Sequence, residues 1–218
     1  MKNNYWNDGY WNRHLSAPER MDICDILWVE KHQSMIDMIP KGKVLDLGCG
    51  IGQFTKYWME NGFHVVSADI SAVALDELRR RVSNARTVEL DMSKLLPFED
   101  NSFDVVFANL SIHYFDCNTT MQLSDEIWRI LKSGGLFMGS VNSSAAYEFI
   151  KDRVILLEEN YYLSGERRVR LFDRPQFDYF FGQFTMLSLE EIHTVRFHNP
   201  RDHWEFILRK GIEHEGNM

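Results

Sequence analysis

Between Val44 and Phe54 the chain reads VLDLGCGIGQF, with three glycines at alternate positions behind a short apolar run that carries one aspartate. That run, KVLDLG, is bounded by glycines and reads as a buried strand. The following FTKYWMENG has helical spacing and a closing Gly62. A backbone stripped of side chains at Gly48, Gly50 and Gly52, between a strand and a helix N-terminus, lets a ligand approach the main chain and meet free N–H donors. A tight turn can use the same glycines for positive φ or close packing without any ligand, so the surrounding sequence has to decide.

The rest of the chain repeats the same rhythm. HVVSAD is the next strand, and Ser71 is placed to cap AVALDELRRRVS, whose Val73, Leu75, Leu78 and Val82 lie mostly on one helical face. ARTVELD, FDVVFAN and LFMGSVN repeat the strand signal. TTMQLSDEIWRILKSGG reads as an amphipathic helix ended by Gly134 and Gly135. This alternation predicts an α/β fold, a Rossmann-like, doubly wound and mostly parallel seven-stranded sheet. One domain over 1–218 is expected, with a helical N-terminal cap over 1–40, where DICDILWVEKHQSMIDMIP stops at Pro40, and a cofactor-binding core over 41–142. A substrate-side insertion over 143–185 is read as a helix around AAYEFIKDR, a short strand pair around ENYY and RRVRLFD, and a helix in RPQFDYFF. MLSLEEIHTVRF and HWEFILR, within 186–210, predict an antiparallel hairpin at the sheet edge.

Composition narrows the function classes. With 218 residues and 44% hydrophobic content the chain can bury a full core. No uninterrupted apolar run approaches the ~20 residues that cross a bilayer, and MKNNYWNDGYWNRH is too polar for a secretory signal. Cys24, Cys49 and Cys117 form no Cys-x-x-Cys pair, which argues against a metal site and for reduced thiols in the cytoplasm. The formal net charge of −8 opposes a nucleic-acid backbone, leaving a small molecule as the expected partner.

Acidic residues give the glycine turn its meaning. Asp69 ends the second strand at the spacing where an acid reaches the ribose hydroxyls of a nucleoside bound at the first turn. The bland alternative makes it an Asx-type cap for the next helix. The spacing is Gly-x-Gly-x-Gly and not the Gly-x-Gly-x-x-Gly of a pyrophosphate turn, and Asp46, two residues ahead of Gly48, would repel a pyrophosphate but anchor an ammonium group. Asp91, at the end of the third strand, can accept from an exocyclic adenine amine, with Met92 against the ring face. A nucleoside bearing an amino acid fits these demands better than NAD.

At these residues the sequence resembles the class I S-adenosylmethionine-dependent methyltransferases, from Val44 to Lys210. The resemblance implies that DLGCGIG, with Asp46, Gly48, Cys49, Gly50 and then Gln53, holds the methionyl part of S-adenosylmethionine, and that Asp69 and Ile70 meet the ribose. It places Asp91 and Met92 at the adenine, and Asn109 and Ser111 of NLSIHY along the cofactor pocket; S-adenosylhomocysteine is the implied product. LKSGG stands where the family often has Leu-Lys-Pro-Gly-Gly. ANLSIHYF, GSVNSS, RRVRLFD and HWEFILRK look more narrowly like the tellurite-resistance type of small methyltransferase, without fixing an acceptor.

A sulfonium methyl is already electrophilic, so the chain chiefly has to align an acceptor and exclude water. His113 is the candidate base if the acceptor is a hydroxyl or protonated amine, against the alternative of a hydrogen-bonded structural histidine. Tyr5, Trp6, Tyr10 and Trp11 either form a lid that shields the sulfonium or staple the N-terminus to the core. In RRVRLF, strand alternation puts Arg168 and Arg170 on one side, as receivers of an anionic substrate, against the reading of Arg167, Arg168 and Arg170 as a solvated face. Tyr10, Trp11, Tyr114, Asn142, Arg168 and Arg170 are the substrate candidates. A noncatalytic protein that binds S-adenosylmethionine and acts through association is the alternative function, and the oligomeric state is open.

Overall fold

A computed structural model describes residues 5–16, 27–196 and 199–212. β1 (Lys43–Leu47), β2 (His64–Asp69), β3 (Arg86–Glu89), β4 (Phe103–Asn109) and β5 (Leu131–Asn142) run parallel to one another. β9 (Thr185–Arg196) and β10 (Asn199–Arg209) complete a seven-stranded sheet in the order β3-β2-β1-β4-β5-β10-β9. β10 lies antiparallel to both β5 and β9, which gives the expected antiparallel hairpin at one edge. The order reverses between β1 and β4. In such a sheet a crevice opens there, at the carboxyl ends of the strands.

Burial on both faces follows the strand period of two. Val44, Val65 and Val105 pack with Phe54 and Trp58 of α4 (Gln53–Glu60) and Ile36 of α3 (Gln33–Asp37). Leu45, Val66 and Val106 point the other way, toward Leu123 and Ile127 of α6 (Cys117–Ile130) and Phe177 and Phe181 of α8 (Arg174–Phe181). Local chemistry starts these helices. Ser71 Oγ accepts from the Ala74 N–H at 3.2 Å to open α5 (Ala72–Arg81), and Asp116 Oδ1 accepts from Thr119 N–H at 2.8 Å to open α6.

Three readings of the sequence need correction. α6 does not run to Gly134 and Gly135: it ends at Ile130 and passes directly into β5. Its last carbonyls need no glycine cap, because the N–H groups of Asn101 and Ser102 donate to the carbonyls of Arg129 and Ile130. The stretch DICDILWVEKHQSMIDMIP, expected as one helix, is broken into α2 (Leu27–Glu30) and α3 at Lys31 and His32, and its residues before Leu27 lie outside the described residues. Lys31 reaches across to Glu205 at 2.9 Å and Glu190 at 3.0 Å on the edge hairpin.

The third correction concerns 143–185. The strand pair is a separate three-stranded antiparallel sheet, β6 (Val154–Glu158), β7 (Tyr161–Ser164) and β8 (Arg167–Arg170). The helix around AAYEFIKDR shrinks to α7 (Tyr147–Ile150) between short turns, since β6 begins at Val154. Arg170 ties this small sheet to the main one. Its guanidinium donates to the carbonyls of Phe115 and Glu159 at 3.2 Å each, and its backbone N–H donates to the His113 carbonyl at 2.7 Å. The same group lies 5.1 Å from the ring centroids of both Tyr161 and Phe180, and 3.4 Å from the Glu158 carboxylate.

No helix among the described residues is long and apolar enough to cross a membrane. Because Arg170 is 1% exposed and joins two sheets, Arg170→Met should destabilise the fold by roughly 2–4 kcal/mol, the loss of charge-assisted hydrogen bonds to two carbonyls. Urea unfolding followed by circular dichroism measures it; an unchanged midpoint would show that the guanidinium holds nothing together.

Candidate cofactor and acceptor site

The glycine turn after β1 and the loop after β4 meet at the crevice. Gly48 has φ +77°, and a Cβ there would sit 2.3 Å from the Cβ of Ser111, so only glycine lets the two segments close on each other. Ser111 Oγ seals the junction by donating to the Leu47 carbonyl at 2.7 Å. Gly50, with φ +53°, is pressed from the other side by Trp11, whose ring would lie 2.7 Å from an added Cβ. Protein side chains therefore explain part of the glycine pattern that the sequence attributed to a ligand.

These segments border a cavity of about 730 Å³. Asp46, Gly48, Cys49, Gly50 and Gln53 line it from the β1 turn, and Asp69, Ile70, Asp91 and Met92 from the ends of β2 and β3. Asn109 lines it from the end of β4, Ser111, His113 and Tyr114 from the loop that follows, Asn142 from the end of β5, and Tyr10 and Trp11 from the N-terminal helical turns at Tyr5–Trp11. Arg168 and Arg170 do not. Across the ladder of β7 and β8, Arg167 pairs with Ser164 and Val169 with Tyr162, and Ser164, Arg167 and Val169 line the cavity; Arg168 and Arg170 belong to the opposite face. Alternation correctly put the two arginines together, but on the side away from the cavity.

Sequence reasoning missed Arg201 and Asp202 at the start of β10, and His14 after the N-terminal turns. Only the strand order could have found the first two, because it sets His203 opposite Asn142. His14 carries a weak local signal, its stack on Tyr10 four residues earlier at 4.0 Å. The N-terminal rings extend across the cavity from Trp11 on Gly50 to Trp6, whose ring packs edge-on to Tyr114 at 4.8 Å. Asn7 holds this segment down, its Oδ1 accepting from the Ser71 hydroxyl at 2.7 Å.

The electrostatics divide the cavity. Asp46 is 2% exposed; its carboxyl accepts from Thr55 Oγ1 at 2.6 Å, yet burial, reinforced by Asp69, pushes it up to about 7. A buried acid in this state gains most from a cation delivered to it. Asp69, also raised by burial, accepts from the N–H groups of Gly50 and Ser71 at 2.9 Å each. The Ser71 contact is the Asx-type turn of the bland reading, and a carboxylate with four lone-pair positions still has capacity for a diol. Asp91 is similarly braced, its Oδ1 accepting from the N–H and hydroxyl of Ser93 at 2.9 and 2.6 Å. Burial raises the Cys49 thiol well above its usual range, so it is a packed wall and not a nucleophile.

Around β8 and β10 the charge reverses. His113 is 2% exposed, and burial with the nearby Arg167 and Arg201 lowers its imidazole to about 3. It is neutral at any physiological pH. Its Nδ1 is buried without a hydrogen-bond partner. Among the described residues no carboxylate pairs with Arg167, whereas Asp202 is engaged by His193 at 2.9 Å.

Residues 45–139 match the family described as "Methyltransferase domain". That stretch is similar to methyltransferase domains and covers less than half of the chain. The malonyl-[acyl-carrier protein] O-methyltransferase of Enterobacter lignolyticus is 35% identical over 94 residues, 43% of this chain and 36% of that protein. An uncharacterized methyltransferase of Synechocystis is 36% identical over 98 residues, 45% of this chain and 46% of its own length. The chain thus spans well under two thirds of these relatives. A Methanosarcina mazei S-adenosylmethionine-dependent methyltransferase superposes with a TM-score of 0.74 at 18% identity, over 83% of this chain and 98% of that one, a likeness of fold. A protein of Pyrococcus horikoshii gives 0.71 at 25% identity, over 95% of both chains. The tellurite-resistance likeness rests on short segments alone, and the relatives just described do not include that type.

The donor set fits S-adenosylmethionine: a buried acid lacking a cation, two further acids at the ends of β2 and β3, and a turn kept clear of side chains. If the ammonium of the amino-acid tail meets Asp46, S-adenosylhomocysteine should bind with near-constant affinity between about pH 7 and 8, where the ligand keeps its ammonium proton, and up to about tenfold more weakly per unit below pH 7, as Asp46 gains a proton. Calorimetry at pH 8 and pH 6 reads this directly. Asp46→Asn should bind more weakly and lose the dependence; an equal slope in both proteins would remove Asp46 from ammonium binding.

Proposed function

We propose that the chain is an enzyme that transfers the methyl group of S-adenosylmethionine to a small-molecule acceptor, and that the acceptor carries an anionic group. The observation that supports this most is one cavity holding both a buried, cation-seeking Asp46 and a cation-rich wall at Arg167. When bound, S-adenosylmethionine supplies a methyl group on an electrophilic sulfonium. Asp46 takes its ammonium, Asp69 its ribose hydroxyls, and Asp91 with Met92 its adenine; Gly48, Cys49, Gly50, Gln53, Ile70, Asn109 and Ser111 complete the wall. Trp11 and Tyr10 cover the pocket and exclude water.

Arg167, with Arg201 on the wall of the same cavity, receives the acceptor's anionic group in place of the Arg168 and Arg170 expected from the sequence. The malonyl-[acyl-carrier protein] O-methyltransferases are named for a malonyl acceptor, itself a carboxylate, which agrees with this reading. Tyr114 and Asn142 border the same space, and His113 presents a neutral imidazole. A histidine at about 3 is a poor proton acceptor, so catalysis rests on alignment of the acceptor. The absence of a paired-cysteine motif supports a cytoplasmic location, and the net charge of −8 argues against a nucleic-acid partner.

A methyl-transfer screen with product mass detection, run on small carboxylic and phosphoric acids beside their neutral esters and amides, tests the function. Turnover should concentrate among the acids, and Arg167→Gln should raise the acceptor KM by about 10–100-fold with unchanged S-adenosylhomocysteine affinity. Turnover of neutral acceptors that ignores Arg167 would refute the anionic class. Tight S-adenosylhomocysteine binding with no turnover anywhere would return the noncatalytic binding protein.

His113 gives a separate expectation. At saturating cofactor, turnover should stay level as pH falls through ~6.5, the ordinary imidazole value, and His113→Gln should cost less than about tenfold. A loss of ~10²–10⁴-fold with intact cofactor binding would reinstate it as the base.

A further inference from the structure

β6 is the free edge of the small sheet, paired with β7 on one side and with no described strand on the other. Three consecutive residues on it are apolar and exposed: Ile155 at 64%, Leu156 at 63% and Leu157 at 46%. Neighbours in a strand point to opposite faces, so water meets apolar side chains on both faces of this edge. Natural edges are usually guarded by a lysine, a proline or an inward charge. Within β6 the guards are a register irregularity between Leu156 and Glu158 and the Glu158 carboxylate, which turns inward to Arg170; the three apolar positions carry none.

Charge tells which partner fits. Lys151 and Arg153 precede the apolar run, and Glu158 and Glu159 follow it. A parallel copy would set like charges side by side, whereas an antiparallel copy sets basic against acidic at both ends. With Leu156 opposite its own twin, Ile155 falls opposite Leu157 and Arg153 opposite Glu159. Arg153 and Glu159 are both exposed, and the described hydrogen bond of Arg153 runs only to the nearby Phe149 carbonyl. We propose that two copies of this chain associate through β6, antiparallel across a two-fold axis, joining their small sheets into one continuous sheet. The sheet so extended is the one that carries Ser164, Arg167 and Val169 to the cavity, so association braces the acceptor wall from its outer edge.

A single short edge contributes less than the ~1,000 Å² of a stable interface, so the dimer is weak, with a dissociation constant on the order of 10–100 µM. Sedimentation equilibrium of the full chain from low to several hundred micromolar should show the mass rising from 25.7 kDa toward twice that value. Leu156→Lys, at an exposed position, should hold it at the monomer mass. Arg153→Glu and Glu159→Arg should each weaken association at least tenfold, because each creates two like-charged pairs. Mixing these two variants should restore it, since every cross-pair is again opposite in sign; a misfolded variant would not recover on mixing. A monomer at all concentrations overturns the proposal, and so does a dimer indifferent to all three substitutions. Amide protection, in a strictly monomeric sample, of those β6 N–H groups that point away from β7 would likewise overturn it, by showing that another part of the chain covers the edge.

Discussion

The close approach of Gly48 to Ser111 is the contact on which the site depends. β1 and β4 are neighbours, and the sheet order reverses between them, but a crevice becomes a binding cavity only if the segments leaving both strands are held in fixed register. The missing side chain at Gly48 and the hydroxyl of Ser111 on the Leu47 carbonyl accomplish that together. From this junction one wall runs through Asp46 and Asp69, and another continues through His113 and Tyr114 toward β8.

The two walls have opposite electrostatic character. Asp46 and Asp69 are buried acids whose protonation burial favours, and His113 is a buried base whose protonation burial and two arginines disfavour. Burial thus works against the charged form of each group, and each wall is stabilised by a ligand charge of the opposite sign. The same feature makes the His113 imidazole a weak proton acceptor.

Much of this was legible in the sequence because it is local. A glycine turn after an apolar run, Ser71 before α5 and the acid at position 69 are each determined by residues within a few positions of one another. What could not be read was set by distant partners. α6 stops without its expected glycines because Asn101 and Ser102, far earlier in the chain, take its last carbonyls. β6 matches no element read from the sequence, because its exposed apolar residues follow no burial period. Alternation showed which arginines of β8 share a face but not which face meets the cavity, and Arg201 reaches it only through the placement of β10 beside β5.

The Trp11 ring resting on Gly50 has a bearing on how the chain can be shortened. The sheet pattern alone would choose a fragment starting just before β1 as a complete unit. Such a fragment would bare the flank of the turn and the edge of Tyr114 where Trp6 now packs, replacing ring-on-backbone contact by water against an apolar surface. It would keep every strand of the sheet and still be prone to clump in solution, because residues that precede the first strand serve as the outer skin of the pocket.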